Sequence, residues 1–118
     1  MARLLIKIAT GPENPTRAAL GLLIARTAAS EGHEVIVFLA GDAVDFARPE
    51  TAEAAEGVGT GSVAEHLAAL REAGAELRLS GMSSKARGID ASVAGEAAMS
   101  TPSDVVELAL AADVVLVY

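Results

Sequence analysis

The order of apolar and amphipathic segments predicts a three-layer α/β/α sandwich with a mainly parallel sheet of about five strands. Short, nearly continuous apolar runs occur at 3–9, 33–39, 76–79 and 114–118, as expected of parallel strands covered on both faces, and a short strand is expected near 97–99. Segments with helical spacing and N-terminal capping residues stand between these runs. No linker divides the 118 residues, so we expect 1–118 to form a single domain.

The first strand and the first helix are marked by their ends. A turn at 10–12 ends the apolar run. The side-chain oxygen of Asn14 suits an N-cap, and Pro15 suits the first helical position because no N–H group is needed there. A helix over 15–31 is therefore predicted, and Gly32 suits the left-handed conformation that ends it.

This helix carries two apolar stripes. One stripe should pack on the sheet, and the other needs a second covering, for which a neighbouring subunit is the simplest candidate in a chain this short. The alternative is an exposed, alanine-rich face. The stripes are Leu20, Leu23, Ile24 and Thr27 on one side, and Ala18, Leu22, Ala25 and Ala29 on the other.

The stretch after the second strand is the least regular. Val44 and Phe46 suit a brief helical turn, whereas 48–61 has almost nothing large to bury and is expected to be mobile or functional. Within it, the glycine-rich run at 57–62 lacks the preceding strand, the lysine and the spacing of a phosphate-binding loop. A flexible hinge is favoured, and if it moves we expect it to act as a lid.

Two further helices are predicted from capping residues. Ser62 and Glu65 form a capping-box pattern before a helix that ends at Gly74. Thr101 and Pro102 open the last helix. Its inner face is formed by Val105, Leu108, Ala109 and Ala112, and its outer face by Asp104, Glu107 and Ala111.

The composition excludes several classes of function. The 9 basic and 16 acidic residues give a net charge of −7, which disfavours nucleic acids and anionic membranes as partners. The absence of cysteine excludes disulfides, thiolate catalysis and cysteine-based metal sites. With His33 and His66 as the only histidines, we expect neither a metal site nor a cofactor. No apolar run reaches the roughly 18 residues of a membrane span, so we expect a cytoplasmic protein.

The candidate site consists of the loops after the first three long strands, because ligands collect at the carboxyl ends of strands in such a sheet. Residues 10–14 offer backbone N–H groups at a helix start, which suits an anion, although the same residues also serve simply to start the helix. Residues 80–89 are polar and locally basic, and the alternative is a small-polar loop stabilised by one arginine. The expected ligand-binding residues are Gly11, Asn14, Arg17, Gly41, Ser80, Ser83, Ser84 and Arg87.

An enzymatic function is the alternative hypothesis. The hydroxyls and cations of 80–89 suit a small-molecule hydrolase or transferase that uses Ser83 or Ser84 with Lys85, Arg87 or His66. The pattern is neither G-x-S-x-G nor S-x-x-K, and no histidine is placed by spacing to activate a serine. We therefore name no catalytic residue and favour a protein that is not an enzyme.

Several motifs stand in a specific order along essentially the whole chain. They are the strand at 4–9, GPENPTR at 11–17, GHEVIVFL at 32–39 with GDAV at 41–44, KARGI at 85–89, and ADV at 112–114. Each motif alone is weak, but together their order and spacing resemble the DsrE/DsrF-like (YchN-like) family.

The resemblance implies a small α/β subunit that forms homo-oligomers, trimers or hexamers, with a link to intracellular sulfur relay. In the sulfur-carrying members a cysteine after the third strand accepts a persulfide, and alignment on 86–88 places Ser80 and Ser83 where such cysteines often stand. A serine hydroxyl cannot hold a transferable sulfur atom, so we expect no intrinsic sulfur transfer. What remains is a small anionic ligand, or a sulfur-relay partner that bears the cysteine, bound at the loops after strands 1 to 3.

Overall fold

A five-stranded sheet in which all neighbouring strands are parallel forms the centre of the computed structural model, which describes residues 1–118. Its strands are β1 (Arg3–Ile8), β2 (Glu34–Leu39), β5 (Glu76–Ser80), β6 (Ala98–Ser100) and β7 (Val114–Val117), and a separate antiparallel hairpin consists of β3 (Glu56–Gly57) and β4 (Gly61–Ser62). The order across the sheet is β6-β5-β2-β1-β7. The helices are α1 (Pro15–Ser30), α2 (Pro49–Ala54), α3 (Val63–Glu72), α4 (Gly81–Ala86), α5 (Ala91–Ala94) and α6 (Pro102–Ala111), and a 3-10 helix spans Gly41–Ala47. The predicted α/β sandwich with a mainly parallel sheet is confirmed.

Helices cover both faces of the sheet, because successive residues of a strand point to opposite faces. On one face, Ile6 and Val37 belong to the main core, which α1 and α3 cover. On the other face, Leu5, Ile36 and Phe38 form a smaller core. The residues of α6 that pack on this smaller core are those of its predicted inner face, namely Val105, Leu108 and Ala109, followed by Ala112.

α1 follows its sequence signals closely. The side-chain oxygen of Asn14 accepts a hydrogen bond from the N–H of Arg17 at 3.1 Å, and Gly32, just beyond the helix, has a φ of +91° that favours glycine. Leu22 and the alanines of its stripe pack in the main core. Leu20, on the other stripe, is 38% exposed. The two stripes thus differ in burial: one packs on the sheet, and the other is partly exposed.

The segment 48–61 contains regular secondary structure, whereas the sequence pattern predicted an irregular connection. It contains α2 and the β3–β4 hairpin. The N–H of Val58 donates to Oγ1 of Thr16 at 3.0 Å, and the hydroxyl of Thr60 donates to the carbonyl oxygen of Thr16 at 3.0 Å. Nε2 of His66 lies 2.7 Å from the carbonyl oxygen of Thr60. Hydrogen bonds to α1 and α3 take the place of the large apolar contacts that the segment lacks. A lid function for it stays a prediction.

α6 begins with a capping box. Oγ1 of Thr101 accepts a hydrogen bond from the N–H of Asp104 at 3.1 Å, and the carboxylate of Asp104 accepts one from the N–H of Thr101 at 2.8 Å. Pro102 follows at the first helical position, as the sequence predicts. Neither α6 nor any other helix has the length and apolar character of a membrane span.

Two valines test the packing of α3. Val63 is fully buried at the start of α3, and Val58 in the hairpin turn is 86% exposed. We expect Val63→Ala to lower the free energy of unfolding by about 2 kcal/mol, because it leaves a cavity in the core. Val58→Ala should change it by less than about 0.5 kcal/mol. Urea denaturation followed by circular dichroism measures both values, and equal losses would contradict the core position of α3.

Candidate functional site

The loops that follow β1, β2 and β5 meet at the carboxyl edge of the sheet, as the parallel arrangement predicts. Gly11 lies so close to the second of these loops that a Cβ atom there would be 2.2 Å from the carbonyl oxygen of Asp42. The N–H of Gly41 donates to the hydroxyl of Ser83 at 2.9 Å. The structure therefore brings Gly11, Gly41 and Ser83 into one cluster, and only glycine fits at the first of these positions.

Two of the backbone donors around the start of α1 are already bonded within the protein. The N–H of Gly11 donates to Oε1 of Glu13 at 2.8 Å, and the N–H of Arg17 donates to the side chain of Asn14. The carboxylate of Glu13 thus lies where an external anion was expected. A role of Gly11, Asn14 and Arg17 in ligand binding stays a prediction, and a ligand at this position would have to displace Glu13.

Ser80 and Ser83 organise the start of α4. Oγ of Ser80 accepts a hydrogen bond from the N–H of Ser83 at 3.2 Å, and the hydroxyl of Ser83 accepts one from Gly41. Ser83 therefore joins α4 to the loop after β2. These two serines occupy the positions where the family resemblance places cysteines.

Arg87, which follows α4, also joins α4 to the residues after β2, here through ion pairs. It forms ion pairs with Asp42 and with Asp45, the second at 3.5 Å. Nη2 of Arg48 donates to the carbonyl oxygen of Arg87 at 3.0 Å. Because two carboxylates already neutralise the Arg87 guanidinium, an anionic ligand would have to compete with them.

Ser84 lines an open groove between α4, the start of α5 and the edge strand β6. The groove has a volume of about 450 Å³, and an adjoining depression of about 260 Å³ shares part of its wall and adds Met82. Ser84 is 1% exposed, and its hydroxyl has no hydrogen-bond partner. The residues that line this surface, called the α4–β6 groove below, are Gly81, Ser84, Lys85, Gly88, Ile89, Asp90, Ala91 and Met99.

The residues proposed for the enzymatic alternative do not form a pair of nucleophile and base. His66 is 5% exposed, and its Nδ1 lies 3.4 Å from Nη1 of Arg26 while its Nε2 faces Thr60. The hydroxyl of Ser83 accepts a hydrogen bond from a backbone N–H, and the hydroxyl of Ser84 has no partner. The structure therefore does not join the serines to a base within the proposed set, which is Ser83, Ser84, Lys85, Arg87 and His66.

Asp90 gives the α4–β6 groove a negative charge. Its carboxylate accepts hydrogen bonds from the hydroxyl of Ser92 at 2.6 Å and from the N–H groups of Ser92 and Val93 at 3.0 and 3.3 Å. The Ser92 hydroxyl foremost, followed by these backbone groups, holds the pKa of Asp90 below its ordinary value. Lys85 lines the same groove and forms no ion pair. The groove thus combines one cation with one anion.

Five of the eight residues that line the α4–β6 groove lie in the predicted loop 80–89, although Ser84 is the only one of them among the expected ligand-binding residues. Asp90, Ala91 and Met99 lie outside the predicted site. Ile89 is a usable signal, because a large apolar side chain within a small-polar loop indicates a packed wall, and it is 3% exposed. Met99 gives no local signal, since its place depends on where β6 joins the sheet.

A parallel five-stranded sheet with helices on both faces and a polar, thiol-free loop cluster defines a small α/β sandwich protein. The sequence model of the DsrE/DsrF-like family matches residues 2–118, and the chain belongs to this family. The crystal structure of the ychN protein from E. coli has a TM-score of 0.83 and 21% sequence identity, with 100% of both chains covered. At this identity the likeness shows the fold alone. A comparison with curated proteins gives no match.

The hydrogen bonds of Asp90 predict that part of the stability of the folded protein is lost at acidic pH. Because its pKa is lower in the folded than in the unfolded chain, Asp90 stabilises the fold above the unfolded value, and this contribution is lost as pH falls from the ordinary value of 3.8 through the folded pKa. Asp90→Asn keeps an oxygen acceptor but removes the charge. We therefore expect the midpoint temperature of unfolding to fall less steeply with decreasing pH in this variant than in the parent protein. Glu96→Gln, a nearby change at a carboxylate that accepts no side-chain hydrogen bond, is the control. Parallel acid profiles for the two variants would contradict this role of Asp90.

Proposed function

We propose that this chain is a cytoplasmic, homo-oligomeric, non-enzymatic member of the DsrE/DsrF-like family that binds a small anionic ligand and does not itself transfer sulfur. The observation that carries the homo-oligomeric part of the proposal is an uncovered apolar surface, which we call the α6–β7 surface. It consists of Val106 and Leu110 on α6 and Val115 and Val117 on β7, which are 59%, 82%, 44% and 64% exposed.

These four side chains lie on one side of the molecule. Asp104 and Glu107 of α6 line a cleft with Arg78 of β5, and at about 100° per residue Val106 and Leu110 project from the opposite side of the helix. In the sheet, that side is where β7 lies, because the strand order is β6-β5-β2-β1-β7. A contiguous apolar surface of this kind marks an interface between proteins.

The edge of the sheet supports the same conclusion. β7 pairs with β1 on one side only, and all of its residues, Val114–Val117, are apolar. Edge strands that remain exposed usually carry charges, prolines or bulges that prevent pairing with another chain. β7 has none of these charges or prolines, which favours a second copy of the chain against it. The trimer or hexamer of the family resemblance is the expected assembly.

The absence of sulfur transfer is supported at Ser83. Its hydroxyl accepts the hydrogen bond of the Gly41 N–H at a position where the resemblance places the sulfur-carrying thiol. The chain has no cysteine elsewhere. Any sulfur relay through this protein must therefore use a thiol of a partner, and a cysteine-bearing partner at the loop cluster is the second form of the binding proposal.

Native mass spectrometry tests the assembly. We expect the parent protein to be a trimer or hexamer and Leu110→Asp to be mainly monomeric, because a charge in an apolar interface is not compensated. The matched control is Val58→Asp, on an exposed valine of the hairpin turn, which should assemble like the parent. Circular dichroism confirms that both variants are folded. A monomeric parent, or equal assembly of the two variants, would overturn the proposed interface.

Restoring a thiol tests the interpretation of Ser83. After treatment with polysulfide, we expect the parent to keep its mass and Ser83→Cys to gain sulfur, because the Gly41 N–H favours the thiolate. Ser30→Cys, on the last turn of α1 where the hydroxyl donates to a backbone carbonyl oxygen, is the control and should react more slowly. Faster reaction at position 30, or sulfur gained by the parent, would contradict this account.

A further inference from the structure

The α4–β6 groove contains a polar group that the protein itself does not satisfy. Ser84 is almost completely buried, and its hydroxyl makes no hydrogen bond. Buried hydroxyls normally have a partner, because an unpaired one destabilises the folded state. Ser84 is part of the groove wall, but its Oγ is closed to solvent, so a ligand oxygen becomes its partner only when the wall shifts to open this atom.

The charges of the groove select among possible ligands. Lys85 lines both the groove and its adjoining depression and has no carboxylate partner. Arg87 nearby is neutralised by aspartates. Lys85 is therefore the cation available to a ligand anion. Asp90 on the same wall keeps its negative charge, which disfavours a second negative charge on the ligand.

The remaining wall is apolar and adaptable. Ile89 is buried beneath the groove, while Met99 is 40% exposed and Met82 in the adjoining depression is 72% exposed. Methionine side chains accommodate apolar groups of varied shape. The groove volume of about 450 Å³ is within the range of small-molecule sites.

We infer that the α4–β6 groove binds a small monocarboxylate with an apolar tail. The carboxylate interacts with the ammonium of Lys85 and, once the wall opens at Ser84, accepts a hydrogen bond from its hydroxyl. The tail packs on Ile89 and Met99. This inference rests on the ligand-binding part of the proposed function, and it places the ligand on the β6 side of α4 and not at Gly11 and Gly41.

Amide chemical shifts of the isotopically labelled full chain, titrated with hexanoate, test the inference. We expect shifts at Ser84, Lys85, Ile89 and Met99. Lys85→Gln should weaken binding at least about tenfold and Ser84→Ala by about threefold, since a charge-assisted contact contributes more than a neutral hydrogen bond. Arg71→Gln removes an exposed cation outside the groove and should leave the affinity unchanged. Hexan-1-ol, which lacks the charge, and inorganic phosphate, which lacks the tail, should each bind more weakly than hexanoate.

Several results would overturn the inference. They are the absence of shifts at the groove, an unchanged affinity in Lys85→Gln, and phosphate binding as tightly as hexanoate. Shifts around Gly11 and Gly41 that disappear in Arg17→Gln would retain the proposed anionic ligand but move it away from the groove. Native mass spectra of the same samples report the assembly separately, so failure of the groove and failure of the homo-oligomer are distinguishable.

Discussion

The parallel pairing of β1 with β2 is the constraint on which the rest of the structure depends. The two strands pair in register from Arg3 with Glu34 to Ile8 with Leu39, so they end at the same level of the sheet. Their following loops consequently start side by side, and Gly11 can approach the backbone of Asp42 only because it lacks a side chain. The same register divides their apolar residues between the two faces, which gives α1 and α6 separate cores.

Local signals in the sequence predicted most of the fold. The strands, the N-cap at Asn14, the start of α6 at Thr101 and Pro102 and the inner face of α6 all depend on residues close together in the chain. The hairpin at 56–62 was not predicted, because the hydrogen bonds that hold it involve Thr16 and His66, which belong to other elements. Spacing along the chain carries no information about such partners.

The location of the candidate site could be predicted from the sequence, but the hydrogen-bond and ion-pair partners of its residues could not. A parallel sheet requires the loops to converge, whereas the partner that each donor takes is decided only in three dimensions. The N–H of Gly11 donates to the carboxylate of Glu13, and the N–H of Gly41 donates to the hydroxyl of Ser83. Three of the cations near the loops also differ in ways that the sequence does not reveal: Arg87 is paired with aspartates, Arg48 bonds to carbonyl oxygens, and Lys85 has neither type of partner. The charge available for recognition is therefore smaller than the count of basic residues suggests.

The pairing of β1 with β7 has a consequence for folding during synthesis. The N–H of Arg3 donates to the side chain of Asp113 across 110 positions of sequence, and β7 is the last of the five strands to leave the ribosome. Until then, the nascent chain can pair β1 with β2 but leaves the other edge of β1 open. Contacts of such long sequence separation also form slowly. One edge of β1 therefore stays unpaired until β7 has been synthesised, and an unpaired apolar strand edge is where aggregation of an unfinished chain begins.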